Sequence, residues 1–128
     1  WWKDSTHQYL FKKEWEKMKK YLKSVKKERV IFMGDFNNDA MEVSTGYDYI
    51  LETTPYLKDS YQLAKIKKGH DTMPAGIDGW EEAKSGKRID LIFVTEDIQV
   101  EESNVIFNGQ NEEIISDHYG VEVTLKNE

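Results

Sequence analysis

Arg29-Val30-Ile31-Phe32-Met33-Gly34-Asp35-Phe36-Asn37 is an apolar run that stops at a glycine and passes directly into hard oxygen ligands. A continuous apolar stretch bounded by turn residues predicts a strand buried on both faces, of the kind found in sheets covered by helices. The preceding segment sets the fold class. From Ser5 to Lys27, Phe11, Trp15, Met18, Leu22 and Val25 recur at alternating spacings of four and three, one face of a long surface helix capped near Ser5 or Thr6. A helix feeding a buried strand implies an α/β layer. The helix also carries lysines at 12, 13, 19, 20, 23, 26 and 27, interspersed with glutamates, which predicts a solvated outer face rather than an anion-binding one.

Downstream, Ser44 followed by Tyr47, Ile50 and Leu51 predicts a short capped helix that stops before Pro55, and Asp59 is placed to cap a further turn through Leu63 and Ala64. Lys67 to Gly86 holds four glycines and one proline and predicts a long loop. Further strands are expected over Ile89 to Val94, Val100 to Phe107, and the alternating Val121, Val123 and Leu125. No repeat, low-complexity tract or linker interrupts the chain, so residues 1–128 are expected to form one domain.

Composition narrows the classes of function. Hydrophobic residues make up 38% and charged residues 33%, with seven tyrosines, five phenylalanines and four tryptophans, which predicts a globular, aromatic-rich core. Eighteen basic against twenty-four acidic residues give a net charge of −6, which disfavours long nucleic acid as a partner. The absence of cysteine excludes disulfides, thiolate metal sites and a thiol nucleophile, and fits a cytoplasmic location. No apolar run approaches the ~20 residues of a membrane span, so no membrane partner is expected. The chain opens at Trp1 with no lead-in to its first helix, which suggests an excised or processed piece whose N-terminal signals, if any, are out of view.

Three clusters set ligand-type side chains at strand ends: Gly34-Asp35-Phe36-Asn37, Arg88-Ile89-Asp90 and Ser116-Asp117-His118. In extended chain Asp35 and Asn37 point to one side and Phe36 to the other. An aspartate and an amide oxygen suit Mg²⁺, Mn²⁺ or Ca²⁺; the same triplet also reads as an Asx turn after a strand. Asp90 lies in an otherwise apolar strand, where an ionised carboxylate needs a partner such as His118 or Arg88. Arg88 is the less favoured of the two, since residues two apart on a strand rarely replace a cross-strand partner. His118 has the chemistry of a proton-transfer group or a donor to a phosphoryl oxygen. His70, in the long loop, could touch a substrate or face solvent, and His7 reads as a surface residue.

Taken in order, Gly34-Asp35-Phe36-Asn37, Arg88-Ile89-Asp90-Leu91-Ile92-Phe93-Val94 and Ser116-Asp117-His118-Tyr119-Gly120-Val121-Glu122-Val123 resemble the last three signature motifs of the endonuclease/exonuclease/phosphatase superfamily. The resemblance implies a fold, α/β in class: half of a four-layer αββα sandwich, with one mixed or antiparallel sheet flanked by helices. It implies a Mg²⁺- or Mn²⁺-dependent phosphoesterase acting by in-line attack of water at phosphorus. Asp35, Asn37 and Asp117 would contact the metal, Asn37 and His118 the phosphate, and Asp90 would orient His118. The metal-binding glutamate and the first histidine or tyrosine of the superfamily's N-terminal half have no counterpart here. The chain therefore resembles the C-terminal half, expected to be inactive alone and to pair with the missing half or with itself.

Trp1-Trp2-Lys3-Asp4, Gly46-Tyr47 and Gly76-Ile77-Asp78-Gly79-Trp80 further resemble the bacterial branch that includes maltose 6'-phosphate phosphatase. That implies a small phosphate ester such as a sugar phosphate as substrate, with a nuclease on the same fold as the alternative. Trp80 would then meet substrate, or else staple the long loop to the core.

Overall fold

The structure, a computed structural model, describes residues 5–25, 29–76 and 81–127, with side chains from Gln8 onward. The expected cap at Ser5 or Thr6, the placement of His7, Lys26 and Lys27, and the stretches Trp1-Trp2-Lys3-Asp4 and Ile77-Asp78-Gly79-Trp80 lie outside it. The elements are α1 (Ser5–Val25), β1 (Ile31–Asp35), α2 (Gly46–Thr53), β2 (Leu57–Asp59), α3 (Ser60–Leu63), β3 (Ile66–Lys68), β4 (Asp90–Thr95), β5 (Val100–Ile106) and β6 (Gly120–Leu125).

The fold is mixed α/β, as the resemblance implies, but the strands divide into two ladders where one sheet is expected. The first has the order β1-β4-β2 and is antiparallel; the second has the order β3-β5-β6, with β3 parallel to β5 and β6 antiparallel to it. The two extra strands, β2 and β3, are three residues each. Segments that short carry too few positions for an alternation to register in the sequence.

Helix α1 lies over one face of the first sheet because its apolar stripe has somewhere to go. Trp15 and Leu22 are buried with Tyr47, Ile50, Leu57, Leu91 and Phe93, and Phe11, Met18, Phe32 and Phe36 pack around them. An aromatic chain runs through this core: Trp15 to Phe32 at 5.8 Å, Phe32 to Phe36 at 5.5 Å and Phe36 to Phe93 at 5.2 Å between ring centroids. The last two are edge-to-face, the arrangement favoured by the ring quadrupole. Helices α1 and α2 meet closely at Gly46, where a Cβ would stand 2.5 Å from Phe11 Cε1 and 2.6 Å from Asn38 Cγ. Val25, the last residue of the predicted stripe, has left the core and is exposed. The outward lysines of α1 are solvated, as expected, and Lys19 pairs with Glu16 at 2.8 Å.

The cap of α2 is Thr45 rather than Ser44, and its own side chain makes no cap bond; Asn38 Oδ1 accepts from the Gly46 N–H at 2.9 Å. Instead Ser44 sits at φ 59° with its N–H donating to Asp48 Oδ2 at 2.5 Å. Asp59 caps α3 as its position predicts, accepting from the Tyr61 N–H at 3.0 Å.

Strand β1 departs from the expectation of burial on both faces. Phe32 turns toward the helices, while Ile31 is 47% exposed and Met33 62% exposed on the other side. The physical reason is position: β1 is the edge strand of its sheet. The second ladder covers β4 through Val94, Ile92, Val100, Val123 and Leu125 and leaves this face of β1 open.

Candidate active site

The β1–β4 register places Asp35 directly opposite Asp90. Opposed residues of an antiparallel pair project to one face. Asp35 and Asp90 therefore share the open face with Ile31 and Met33, away from the helices. Like charges facing each other repel, so the pair calls for a positive group. His118, in the turn before β6, brings its Nδ1 to 2.8 Å from Asp90 Oδ2. One ligand atom from each of Asp35, Asp90 and His118 lies within 4.8 Å of the other two. Asp35 is exposed and the other two are half-buried, so the group opens to solvent at its Asp35 side. Binding through Nδ1 fixes the imidazole and makes Nε2 the nitrogen that can meet a ligand.

Burial raises the Asp90 carboxyl above its ordinary range, hydrogen bonds from Thr72 and His118 work in the opposite direction, and the negative charge of Asp35 adds to the rise. The site is thus an electrostatically frustrated one, in which a cation or a protonated imidazole relieves two facing carboxylates.

The loop after β1 is pinned by backbone bonds: the Phe36 N–H donates to Ile89 O at 2.9 Å and the Ala40 N–H to Arg88 O at 3.0 Å. Buried Asp39 reinforces it, accepting from Met41 N–H at 3.1 Å and Arg88 N–H at 3.3 Å. Phe36 anchors in the aromatic core as its position predicts. Asn37 does not continue the extended chain. Its φ is 50° and its N–H donates to Asp35 Oδ1 at 2.8 Å. The chain turns here because Asn tolerates the left-handed region and the Asp35 carboxylate supplies the acceptor. The Asx turn does not remove either side chain from solvent: Asp35 and Asn37 both line a cleft of about 520 Å³ against Gln8, Leu10, Phe11 and Trp15.

Asp117 is not one of the three converging groups; it is exposed and accepts from Ser116 Oγ at 3.1 Å. Trp80 lies outside the described residues. His70 binds Asp71 Oδ1 through Nδ1 at 2.7 Å and packs edge-on against Tyr61 at 5.4 Å, so it is partly sequestered rather than free in solvent.

Of the two partners weighed for Asp90, only His118 takes that role. Arg88 instead buries a bidentate pair with Asp59, whose other oxygen contact is the Tyr47 hydroxyl at 2.8 Å. The Arg88 guanidinium lies 4.5 Å from the Tyr61 ring centroid. Burial works against its charge, but Asp59 outweighs burial and the guanidinium titrates above its ordinary value. Thr72, which the sequence reading leaves in the long loop, is buried beneath Asp90 and bonds to its backbone. Its signal is faint: one threonine next to an aspartate in a glycine-rich stretch.

No protein-family model matches the sequence, and no curated protein does. Among solved structures, the chain is similar to an endonuclease/exonuclease/phosphatase family protein from Leptotrichia buccalis C-1013-b, with 39% identity and a TM-score of 0.73 over 86% of this chain and 41% of that one. It is also similar to a mannosyl-6-phosphatase of Bacteroides thetaiotaomicron VPI-5482, at 23% identity and a TM-score of 0.69 over 97% and 47% of the two chains. An endonuclease/exonuclease/phosphatase from Bacteroides vulgatus matches at 23% identity and a TM-score of 0.72 over 94% and 45%. The two matches at 23% speak for the fold alone. The chain spans less than half the length of each of these relatives.

Proposed function

The chain belongs to the endonuclease/exonuclease/phosphatase superfamily as its C-terminal half, and from that premise we propose that it supplies the phosphate-binding side of a divalent-metal-dependent phosphoesterase acting on a small phosphate ester such as a sugar phosphate. The observation that carries this reading is the convergence of Asp35, Asp90 and His118 on one open face. The donor set fits Mg²⁺ or Mn²⁺, because two carboxylates face each other across the β1–β4 pair and Asn37 stands beside Asp35 in the same cleft. Asp35 and Asn37, with Asp117 as a third candidate, are the residues that would hold the ion. A bound ion would offset charge on the phosphoryl oxygens and activate water.

In this reading His118, fixed by Asp90, presents Nε2 to a phosphoryl oxygen, where a donor stabilises the charge that grows in the transition state. Asn37 contacts the same phosphate. A mannosyl-6-phosphatase shares this fold, and a sugar phosphate is in keeping with that. The cleft beside Asp35 and Asn37 is lined from α1 by Gln8, Leu10, Phe11, Glu14, Trp15 and Met18 and, among the described residues, by none of its lysines, which supports a small substrate over a nucleic acid. A nuclease would place its cations on the substrate side.

The open face with Ile31 and Met33 supports a partner segment, matching the part of the relatives that this chain does not span. Residues 1–128 are proposed as one domain-half, working in the cytoplasm. Among the described residues no helix is long and apolar enough to cross a membrane. The test compares the chain alone with the chain joined to the uncovered part of the Leptotrichia relative, on a generic phosphomonoester and on sugar phosphates, with and without Mg²⁺ or Mn²⁺. Metal-dependent turnover by the joined protein only, abolished by Asp35→Ala, is expected. No turnover in either form refutes the phosphoesterase reading; turnover by the chain alone refutes its inactivity.

A further inference from the structure

We infer that Thr72 is the positioning residue of the Asp90–His118 pair, holding the aspartate through its hydroxyl and the histidine's loop through its carbonyl. This rests on the reading of Asp90 and His118 as the phosphate-facing pair, and adds how that pair is built.

Asp90 and His118 are 28 residues apart and sit on different ladders, Asp90 opening β4 and His118 preceding β6. A 2.8 Å bond between two side chains on separate segments holds only if both backbones are fixed. Thr72 fixes both. Its Oγ1 accepts from the Ile89 N–H and the Asp90 N–H, each at 3.1 Å. Its carbonyl accepts from the N–H of Tyr119, the residue after His118, at 2.6 Å. Its own N–H donates to Lys87 O at 2.9 Å, closing the segment before Asp90 from the other side. The Thr72 hydroxyl proton faces Lys87 O at 3.4 Å, tying the same side chain to the residue before Arg88.

The residue type follows from these demands. Thr72 is 1% exposed, beside Met73 at 0% and Ile89 at 1%. The site needs one small side chain that accepts two N–H bonds in a dry setting and presents a methyl to apolar neighbours. Threonine does both. Valine has the same shape and leaves the Ile89 and Asp90 N–H groups without an acceptor, the costly outcome in a buried position.

The experiment is NMR on the 128-residue chain, following the His118 Nδ1 proton that lies in the bond to Asp90, assigned by its loss in His118→Ala. In Thr72→Val that resonance should vanish or exchange with water at least about tenfold faster while the amide spectrum stays dispersed, and Thr72→Ser should restore it. A Thr72→Val spectrum with the ring proton unchanged overturns the proposal, as does a Thr72→Ser variant that behaves like the valine. Where the valine variant does not fold, or the ring proton exchanges too fast to observe, amide hydrogen exchange on the unsubstituted chain decides. The Asp90 and Tyr119 amides, tied to one residue, should open together with protection factors within about threefold; a difference above about tenfold overturns the proposal. None of these readouts depends on turnover, so a failure of the phosphoesterase reading in the joined protein leaves them unaffected.

Discussion

Replacing Arg88 by methionine should destabilise the folded chain by about 3–5 kcal/mol, because it strips a buried carboxylate of its counter-charge. The Arg88 and Asp59 side chains are 4% and 2% exposed. Asp59 would keep only the Tyr47 hydroxyl at 2.8 Å and the Tyr61 N–H at 3.0 Å, two neutral donors for a full negative charge. Methionine fills most of the arginine stem's volume, so the loss is electrostatic rather than a cavity effect. The contact of the guanidinium with the Tyr61 ring at 4.5 Å disappears as well, an interaction in the range of about 0.5–2 kcal/mol. With an unfolding entropy of about 2.1 cal/mol/K per residue, the loss corresponds to a fall in Tm of about 10–20 °C for a chain of this length. Urea titration followed by circular dichroism, with the m-value held constant, measures it. The double variant Arg88→Met with Asp59→Asn should recover most of the loss, since the amide keeps the cap and the tyrosine bond without the charge. A single-variant loss below about 1 kcal/mol, or a double variant no better than the single, would refute the argument that the unpaired buried charge causes most of the loss.

Three other outcomes follow from the same structure. Burial first, and then Asp59, push the Tyr47 phenol above its ordinary value of about 10, so the folded chain keeps a proton that the unfolded chain releases. Stability should be full below that ordinary value and fall above it, with a slope of up to about 1.4 kcal/mol per pH unit, and alkaline urea titrations of Tyr47→Phe should show a shallower fall. Asp35→Asn should weaken Mn²⁺ binding by at least about tenfold, ~1.4 kcal/mol in calorimetry, with the melting curve of the metal-free chain unchanged or raised because two facing charges become one; undiminished affinity would remove Asp35 from the ion site. Phe93→Ala, at the fully buried end of the aromatic chain, should cost about 3–5 kcal/mol in denaturant titration, and a value under about 1 kcal/mol would mean that the core is not packed as described.

The sequence by itself determined the parts governed by local periodicity and local chemistry. The stripe from Phe11 to Leu22 specifies α1, the apolar runs specify β1, β4, β5 and β6, and Asp59 specifies the start of α3, because each signal spans enough residues to outweigh its neighbours. It also nominated Asp35, Asp90 and His118, since a carboxylate inside an apolar strand demands a partner. The sequence also favoured His118 over Arg88 as that partner, and the His118 Nδ1 stands 2.8 Å from Asp90 Oδ2. What the fold added is the fate of Arg88, whose guanidinium is buried against Asp59 on β2. Tertiary structure opened one face of β1 by placing it at the sheet edge and made Thr72 a junction. These features depend on contacts between residues far apart in the chain, and such contacts are set by packing of whole elements rather than by any pattern a short window of sequence can hold.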